Sequence, residues 1–243
     1  MRALALDTTT AAGSVAIVED NRVVAERRGD RSHTHAEGLP AEIVSLLDAF
    51  TLCLDDVDLY AVAAGPGSFT GLRIGIATIQ GLAFVTKRQV VGVSALEGLA
   101  HCGSIDAAPG TLVAAWMDAH RREVFSGLYR VTTRTPFDLQ RLDEVEAAAV
   151  GSPAATLERW RRIVARVPEV FIGDGAVLYS EAIRAAAGHA TIVEAPLLAG
   201  AIGRLAIVRA RNGDAVGPGG VRPLYVRRPD AEIARERTLK FEV

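Results

Sequence analysis

The sequence is poor in several residue types, and each shortage excludes a class of protein. Two cysteines, Cys53 and Cys102, are too few for a disulfide framework, so both are expected to be reduced and buried. No stretch holds the roughly 20 uninterrupted apolar residues of a membrane helix. Asp7 interrupts the first apolar run before it could act as a signal peptide. These shortages predict a soluble, cytoplasmic protein with no membrane contact.

Charge of either sign is not in excess. The formal net charge is −2 and the pI is about 6.2, which argues against a dedicated nucleic-acid binder that works alone. Apolar residues, by contrast, make up 49% of the 243-residue chain, with a mean hydropathy of +0.21. That is ample material for a core, and the length permits one large domain or two small lobes.

The most informative segment is residues 65–75, which read GPGSFTGLRIG. An apolar run before it predicts a buried strand, and the apolar spacing after it predicts a helix. Its glycines permit positive φ or close backbone approach, and Ser68 or Thr70 can cap the helix. A strand, a glycine turn and a helix in this order can present backbone N–H groups to an anion.

The segment does not match the standard phosphate or nucleophile motifs. A Walker loop needs Lys after its second glycine, where Leu72 stands. The dinucleotide fingerprint needs glycine at the position of Thr70. A nucleophile elbow around Ser68 needs glycines where Pro66 and Thr70 occur. A tight turn whose glycines serve packing only is therefore the alternative to an anion site.

Two passes along the chain predict the same order of elements. In the first half we predict strands at 2–6, 13–18 and 22–26, a helix at 37–50, a strand at 59–64, a helix at 71–85, a strand at 90–93 and a helix to about 100. In the second half we predict strands at 112–117, 123–131 and 137–142, a helix from Ser152 to about 167, a strand at 169–172, a Gly-Asp-Gly turn and a helix at 177–187. This repetition indicates an internal duplication of structure.

Duplicated lobes of this kind are the plan of the actin-like ATPase (ASKHA) fold. We therefore predict an α/β protein with two RNase H-like lobes, each a mixed sheet with flanking helices. The expected boundaries are 1–103 for the first lobe, 104–220 for the second and 221–243 for a C-terminal tail. The last helix of the second lobe is expected to be able to pack back on the first. Asp7, Gly65, Asp118 and Gly173 take the places that face the interlobe cleft in that fold.

Several segments together resemble one family closely along nearly the whole chain. They are ALALDTTTAAGSVAIV, AAGPGSFTGLRIGIA, MDAHRREVF, the GDG at 173–175 and RPLYVRRPDA. The chain is similar to TsaB, a bacterial partner subunit in threonylcarbamoyladenosine synthesis on tRNA. The resemblance implies a required, non-catalytic scaffold that pairs with the paralogue TsaD, recruits the ATPase TsaE and meets tRNA only through the complex. It leaves open whether the chain forms a homodimer when alone.

The residues agree that the chain lacks transfer chemistry of its own. The catalytic paralogue binds its metal through a His-x-x-x-His pair, whereas His33 and His35 here are spaced by two and cannot clamp one ion from one helix face. We expect both to be exposed, and we predict no catalytic and no metal-binding residues. His120 lies where relatives often carry Arg. No Ser-His-Asp or Cys-His arrangement is visible.

A nucleotide cleft of reduced function remains an alternative. Strand-end aspartates can hold magnesium or cap adjacent backbone N–H groups, and we favour capping. No cofactor is required by the chain itself, although ATP or ADP and magnesium are possible in the assembled complex. The candidate cleft positions are Asp7, Thr8, Gly65, Gly67, Ser68, Thr70, Gly71, Asp118, Gly173 and Gly175.

The two helices of the first half are the expected partner surface. Gly71, Gly75 and Thr78 form a small-residue stripe that admits either a partner helix or the first helix of the same chain. Arg73 opposes the helix dipole in the first turn and should therefore have a partner carboxylate or phosphate. The candidate interface residues are Leu39, Ile43, Leu46, Leu72, Arg73, Ile76 and Ile79.

Two rival functions and the tail complete the expectations. An actin-like ATPase or small-molecule kinase would use its own nucleotide cleft, and a peptidase would need a metal pair or nucleophile that the sequence does not show. Residues 221–243 mix five arginines with four acids and are predicted to be a solvated tail, with contact to tRNA or TsaE as the alternative.

Overall fold

Each half of the chain folds into a five-stranded mixed sheet with flanking helices. The computed structural model describes residues 1–10, 13–30 and 32–227. The first half contains β1 (Arg2–Asp7), β2 (Ser14–Glu19), β3 (Arg22–Arg28), α1 (His35–Ala49), β4 (Leu59–Gly65), α2 (Phe69–Thr86), β5 (Gln89–Ser94) and α3 (Ala95–Gly103). The second half contains β6 (Leu112–Asp118), β7 (Val124–Val131), β8 (Leu142–Gly151), α4 (Pro153–Val164), β9 (Val170–Ile172), α5 (Asp174–Leu178), α6 (Ser180–Ala186), β10 (Thr191–Val193) and α7 (Ala199–Arg211).

The two sheets have the same strand order. The first is ordered β3-β2-β1-β4-β5 and the second β8-β7-β6-β9-β10. In each, the first three strands pair antiparallel as consecutive neighbours, and the last two add in parallel beside the first. This is the RNase H-like lobe, present twice. The predicted actin-like fold and the predicted duplication are confirmed.

Side-chain caps start the helices where the sequence indicated. The hydroxyl of Ser68 accepts from the Gly71 N–H at 3.2 Å at the start of α2. Ser94 and Ser152 cap α3 and α4 in the same way. Each cap satisfies an N–H that has no partner within its own helix, which fixes the point where strand or loop becomes helix.

Two predicted elements of the second lobe were wrong. No strand runs over 137–142; β8 begins at Leu142, and Phe137 instead packs into the core with a φ of 58°. The reason lies in Arg141, which is buried and donates to the carbonyls of Ser104, Ile105 and Ala107 after α3. These bonds hold the segment before β8 across the end of a helix. The helix predicted at 177–187 is two short helices, α5 and α6.

The lobes exchange their last helices. Helix α3 of the first lobe packs on β6 and β9, whereas α7 of the second lobe packs on β1, β2 and β4. A single apolar cluster therefore includes strand residues from both sheets, such as Ala5 and Val113. Glu97 of α3 and Arg209 of α7 form an ion pair at 2.6 Å where the two helices meet. The lobes share one core and one buried seam.

Helix α2 is the most apolar helix of the described residues. Its 18 residues have a mean hydropathy of 1.3, enough to cross a bilayer by length and composition alone, and a third of the helix is buried. Core helices of soluble proteins pass the same test. Here Ile76, Ile79 and Ala83 of α2 are buried with β1 and β4 in the first lobe.

The cysteines differ from expectation in their exposure. Both are free, but Cys53 is exposed and only Cys102 is largely covered. Burial raises the pKa of the Cys102 thiol to about 12, so this thiol stays protonated at neutral pH and is a poor nucleophile.

Candidate functional site

A cavity of about 740 Å³ lies between the lobes, at the carboxyl ends of β1, β4 and β6. This volume lies in the range of small-molecule sites. Of the predicted cleft positions, Gly67, Ser68, Thr70 and Asp118 line the cavity. The other six (Asp7, Thr8, Gly65, Gly71, Gly173 and Gly175) do not line it.

At the end of β1, Asp7 caps its own turn. Its Oδ1 accepts from the Thr9 N–H at 2.9 Å and from the Thr9 hydroxyl at 2.6 Å. Only 3% of Asp7 is exposed, and this burial raises the pKa of the carboxyl despite the two bonds from Thr9. The carboxylate is thus engaged in backbone capping, the alternative favoured from the sequence, and is too enclosed to hold a hydrated ion.

The glycine turn is closed by the same Thr8–Thr9 segment. The Ser68 N–H, which a phosphate would need, donates to the Thr9 carbonyl at 2.9 Å. A Cβ on Gly67 would come within 2.5 Å of the Thr9 Cβ, and a Cβ on Gly71 would overlap the Thr8 carbonyl oxygen. The glycines of the turn therefore serve close packing against the end of β1.

The small-residue stripe on α2 has the same role. A Cβ on Gly75 would overlap the buried Thr8 hydroxyl, so the stripe admits the end of β1 and not a helix. The sequence left open a partner helix or the first helix of the same chain, and neither prediction was right, since the end of β1 takes this place. The close approach sets the height of α2 above the first sheet.

The second lobe repeats this arrangement with different side chains. Asp118 at the end of β6 accepts from the His120 N–H at 2.8 Å, as Asp7 accepts from Thr9. Asp174 of the second glycine turn accepts from the Asp118 N–H at 3.0 Å and from the Gly175 N–H at 2.8 Å. A Cβ on Gly173 would overlap the Trp116 carbonyl oxygen. In both lobes the strand-end aspartate is hydrogen-bonded within the chain, whereas the buried Thr8 hydroxyl after β1 has no hydrogen-bond partner.

The turn after β6 is left-handed over three successive residues. His120, Arg121 and Arg122 have φ values of 58°, 54° and 64°, a run that L-residues rarely adopt. The Glu123 N–H donates to the His120 carbonyl at 2.9 Å and closes the turn. His120 is 87% exposed at the cleft, with its Nδ1 at 3.2 Å from Asp118.

The C-terminal segment, residues 221–227, is not a solvated tail. The Leu224 N–H donates to the Ala64 carbonyl at 2.7 Å, at the end of β4. Arg227 donates to the Ala119 carbonyl at 2.7 Å and pairs with Glu123 on the second lobe. The sequence prediction was wrong for this part; residues 228–243 lie outside the described part of the chain. Sequence spacing gave no signal for these contacts.

The partner of Arg73 is in the same chain and is not an anion. Its Nε donates to the Tyr225 hydroxyl at 3.0 Å, and its guanidinium lies 3.9 Å from the centroid of the Phe69 ring. Phe69 and Tyr225 also contact each other, with centroids 5.0 Å apart. The predicted carboxylate or phosphate is replaced by two aromatic rings and a hydroxyl.

The histidines do not assemble into a metal centre. His33 precedes α1 and is exposed beside Asp30, at 3.3 Å, as predicted. His35 is partly buried, contrary to the prediction, because its Nε2 bonds the Thr10 carbonyl at 2.9 Å. Among the described residues, no group of three or more His, Cys, Asp or Glu side chains is placed to hold a metal ion.

Six of the seven candidate interface residues face the chain's own core. All six are at most 6% exposed. Five pack with the first sheet, namely Leu39, Ile43, Leu46, Ile76 and Ile79, and Leu72 lines the interlobe cavity. The correction has a simple cause, since the apolar stripe of an amphipathic helix covers its own sheet first. Arg73 alone is exposed, and it contacts Phe69 and Tyr225.

A different set of apolar side chains is open on these helices. We call Val44, Phe50, Phe84 and Val85 the apolar patch; their exposed fractions are 56%, 43%, 75% and 75%. A groove of about 470 Å³ between the ends of α1 and α2 includes Val44 and Val85, with the exposed Cys53 beside them. Large apolar side chains this exposed often mark protein contacts. Sequence reasoning missed the patch, although Phe84 and Val85 lie off the buried stripe of α2.

Comparison with known proteins finds a TsaD family model and curated relatives named TsaB. A family model described as TsaD, tRNA N6-adenosine threonylcarbamoyltransferase, matches residues 29–235. The tRNA threonylcarbamoyladenosine biosynthesis protein TsaB of Escherichia coli is 38% identical over 131 residues, 54% of this chain and 55% of that protein. TsaB of Haemophilus influenzae is 33% identical over 165 residues, 64% and 66% of the two chains. These matches span about half to two thirds of the curated relatives.

Solved structures extend the likeness over more than nine tenths of the chain. YeaZ (TsaB) of Pseudomonas aeruginosa is 30% identical with a TM-score of 0.70, covering 92% of this chain and 99% of that one. Another Pseudomonas aeruginosa structure, described as similar to the peptidase YeaZ, is 31% identical with a TM-score of 0.75, covering 93% and 99%.

Proposed function

The chain belongs to the TsaB family, and on that premise we propose that it is a non-catalytic subunit of a bacterial complex that forms threonylcarbamoyladenosine on tRNA. In this proposal it pairs with the catalytic paralogue TsaD and helps to recruit the ATPase TsaE. Transfer chemistry belongs to the paralogue, and tRNA meets this chain only within the complex.

The observation that carries the proposal is that the two strand-end aspartates and the N–H of the glycine turn are hydrogen-bonded within the chain. Asp7 accepts from Thr9, Asp118 from His120, and the Ser68 N–H donates to Thr9. In a nucleotide-using relative of the fold these groups would face a magnesium ion and phosphates. They fit a magnesium–nucleotide poorly here, because the buried carboxylate and the turn N–H already have partners. A subunit that works by contact has no need of them.

The sequence separates this chain from the catalytic paralogue as well. The five histidines of the chain include no pair spaced by four, and a helix needs that spacing to direct two imidazoles at one ion. The closest two, His33 and His35, contact Asp30 and the Thr10 carbonyl. The residues therefore favour a partner role over a transferase role.

The apolar patch is the surface that this role would use. Helices α1 and α2 lie side by side on the outer face of the first sheet, and the patch marks the end of both. In our proposal TsaD covers Val44, Phe84 and Val85 with helices of its own, which removes their side chains from water. A homodimer through the same patch is an alternative use of this surface when TsaD is absent.

A matched pair of charge substitutions tests the pairing. Val85→Asp places a charge in the patch, whereas Val177→Asp places one on the second lobe, where Val177 is 47% exposed. We expect Val85→Asp to weaken TsaD binding at least about 100-fold, since a buried unpaired charge costs several kcal/mol. Val177→Asp should bind as the wild type does. Titration by calorimetry measures both, and circular dichroism verifies that the free variants stay folded.

Function is tested in the reconstituted system. Transfer of threonylcarbamoyl to tRNA by TsaD and TsaE should require this chain and should fall with Val85→Asp in step with binding. Equal affinity of both variants would contradict the proposed surface, and transfer without the chain would contradict the proposed role. The rival function, an ATPase or kinase, would be supported by ATP turnover of the isolated protein that is lost in Asp118→Ala.

A further inference from the structure

The C-terminal segment contacts both rims of the interlobe cleft within seven residues. On the first lobe, Leu224 adds a backbone bond to Ala64 at the end of β4, so the segment continues the sheet by one rung. Val221 is buried against this lobe, and its carbonyl accepts from Gln80 of α2 at 3.2 Å. A Cβ on Gly65 would lie 2.7 Å from the Leu224 carbonyl oxygen, so the glycine turn is shaped to the segment.

Side chains then anchor the segment at two points. Tyr225 contacts the Phe69 ring at 5.0 Å and accepts from Arg73 at 3.0 Å. Two residues later, Arg227 donates to the Ala119 carbonyl at 2.7 Å and pairs with Glu123. Its guanidinium also lies 5.7 Å from the Phe125 ring centroid. The second anchor therefore holds the left-handed turn after β6.

These contacts are those of a peptide in a groove. They comprise a backbone rung beside a strand end, an aromatic side chain against a ring with its hydroxyl bonded to a guanidinium, and an arginine bound to a carbonyl and a carboxylate. Arg227, which lines the cavity, and Arg73 beside it are both engaged in these contacts, and His120 at the same cavity pairs with Asp118. Asp118 and Asp174 face the remaining space and would repel a phosphate.

We propose that the interlobe cleft contains a peptide-binding groove beside its open cavity, and that residues 221–227 occupy this groove in cis as a strap that joins the two rims. The groove recognises an extended segment with an aromatic residue followed two positions later by arginine. The strap fixes the distance between the glycine turn and the left-handed turn. The exchanged helices α3 and α7 hold the two sheets together, whereas the strap contacts the turns themselves. This inference is independent of the proposed pairing with TsaD, and its test does not involve tRNA.

Cross-cleft coupling is the measurement that distinguishes a strap from two unrelated contacts. Amide exchange by NMR is followed in the full chain at the Leu224 N–H on the first rim and at the Glu123 N–H on the second. Arg227→Ala removes only the second-rim anchor, yet should speed exchange at Leu224 about tenfold, since one charge-assisted bond contributes about 1.4 kcal/mol or more. Tyr225→Ala removes only the first-rim anchor, yet should speed exchange at Glu123.

Control variants separate anchoring from general loss of structure. Arg222→Ala alters an exposed arginine of the same segment and should leave both amides within twofold of the wild type. Tyr225→Phe keeps the ring contact and should have an intermediate effect. Amides of β1 report the global fold and should be unchanged in every variant. If each substitution affected only its own rim, the strap would be disproved.

Magnesium–ATP at millimolar concentration provides the opposing test. A peptide groove should show no protection of Ser68 to Arg73 or of Ala119 to Glu123 on its addition. Protection of both rims with the Leu224 amide unchanged would mean that the cavity of about 740 Å³ beside the strap is a nucleotide site. That result would overturn the peptide-groove proposal.

Discussion

The two lobes share one topology but differ in the helices that come after the glycine turn. In the first lobe the turn opens α2, a single helix of 18 residues. In the second it opens α5, of 5 residues, and α6, of 7 residues, comes next. The turns themselves are alike, because each packs its glycines onto the backbone at the end of the lobe's first strand. The shared part is thus the strand-end turn, and the variable part is the surface built after it.

This difference indicates where a partner surface can arise. A long helix keeps a continuous outer face, and α2 carries Phe84 and Val85 at 75% exposure on that face. The short helices of the second lobe expose Val177 and Leu178 at 47% and 58%, without a neighbouring helix of similar length. The two lobes have the same strand order, but only the first has a long helix, α2, beside a second long helix, α1.

The largest expected loss of stability comes from adding a methyl group to a glycine in each turn, which tests whether the two turns are packed in the same way. Gly71→Ala would push a Cβ into the Thr8 carbonyl, and Gly173→Ala would push one into the Trp116 carbonyl with φ at 124°. Both should lower the free energy of unfolding by more than about 3 kcal/mol, because backbone cannot move aside as a side chain can. Urea denaturation measures the loss.

Gly81→Ala is the matched control on the open side of α2. A Cβ there meets nothing within 4 Å, so alanine should stabilise the helix by about 0.5–1 kcal/mol. A loss in only one of the two turns would show that the lobes do not share the same strand-end packing.

A buried histidine in the exchanged helix α3 makes the stability of the protein depend on pH. His101 of α3 is 2% exposed and stacks on Phe137 with centroids 5.6 Å apart. Burial, followed by the positive charges of Arg141, Arg209 and Arg204, lowers its pKa to about 4 from 6.5. The unfolded chain therefore binds the proton more readily, and stability falls as pH drops from about 6.5 towards 4. The full loss from this residue is about 3 kcal/mol.

Comparison with a variant isolates that contribution. His101→Gln should flatten the decline of unfolding free energy between pH 7 and pH 4.5, whereas His189→Gln, at an exposed position, should not. Asp7 titrates in the opposite sense, because its raised pKa favours the protonated form in the folded state. The contribution of Asp7 is the same in the wild type and in His101→Gln, so it cancels when their unfolding free energies are subtracted. An equal slope for both variants would contradict the buried neutral imidazole.

Two ion pairs give the next smaller contrast, one at the seam between lobes and one on the second lobe. Arg209→Gln leaves the largely buried Glu97 without its partner at 2.6 Å and should cost about 2 kcal/mol. Arg162→Gln breaks an exposed pair with Glu158 and should cost under about 0.5 kcal/mol. Thermal and urea unfolding give both values. The double variant Arg209→Gln, Glu97→Gln should recover part of the loss, which a purely steric effect would not allow.

The smallest contrast compares the two strand-end aspartates. Asp7→Ala removes the acceptor for two buried groups of Thr9 and should cost about 1–2 kcal/mol. Asp118→Ala leaves the exposed His120 N–H to water and should cost about 0.5 kcal/mol. Asp7→Asn retains the acceptor and should restore most of the stability. Equal costs at both positions would mean that the difference in burial has no energetic effect.

Much of the fold was predictable because its signals are local. Helix caps at Ser68, Ser94 and Ser152, the hairpin turn at Asp20 and Asn21, and the order of elements all depend on a few neighbouring residues. The second sheet was predicted less well, since the segment before β8 is held by Arg141, whose partners near Ser104 lie far away in sequence.

The candidate site was less predictable for two physical reasons. The residues of α2 are apolar on most faces of the helix. Their spacing alone therefore did not separate the buried Ile76 from the exposed Val85. The contacts of residues 221–227 join positions far apart in the chain, such as Arg73 and Tyr225, 152 positions apart. The sequence shows which residues are present, but which of them lie in contact, such as Arg73 and Tyr225, is decided only by the complete fold.

The exchange of α3 and α7 also has a consequence for synthesis. The face of the first sheet that α7 covers stays open until a segment about 100 residues beyond α3 has left the ribosome. At 5–20 residues per second this interval is roughly 5–20 s. During that time the nascent first lobe is a folding intermediate with an uncovered apolar surface, and it becomes native only after α7 has been synthesised.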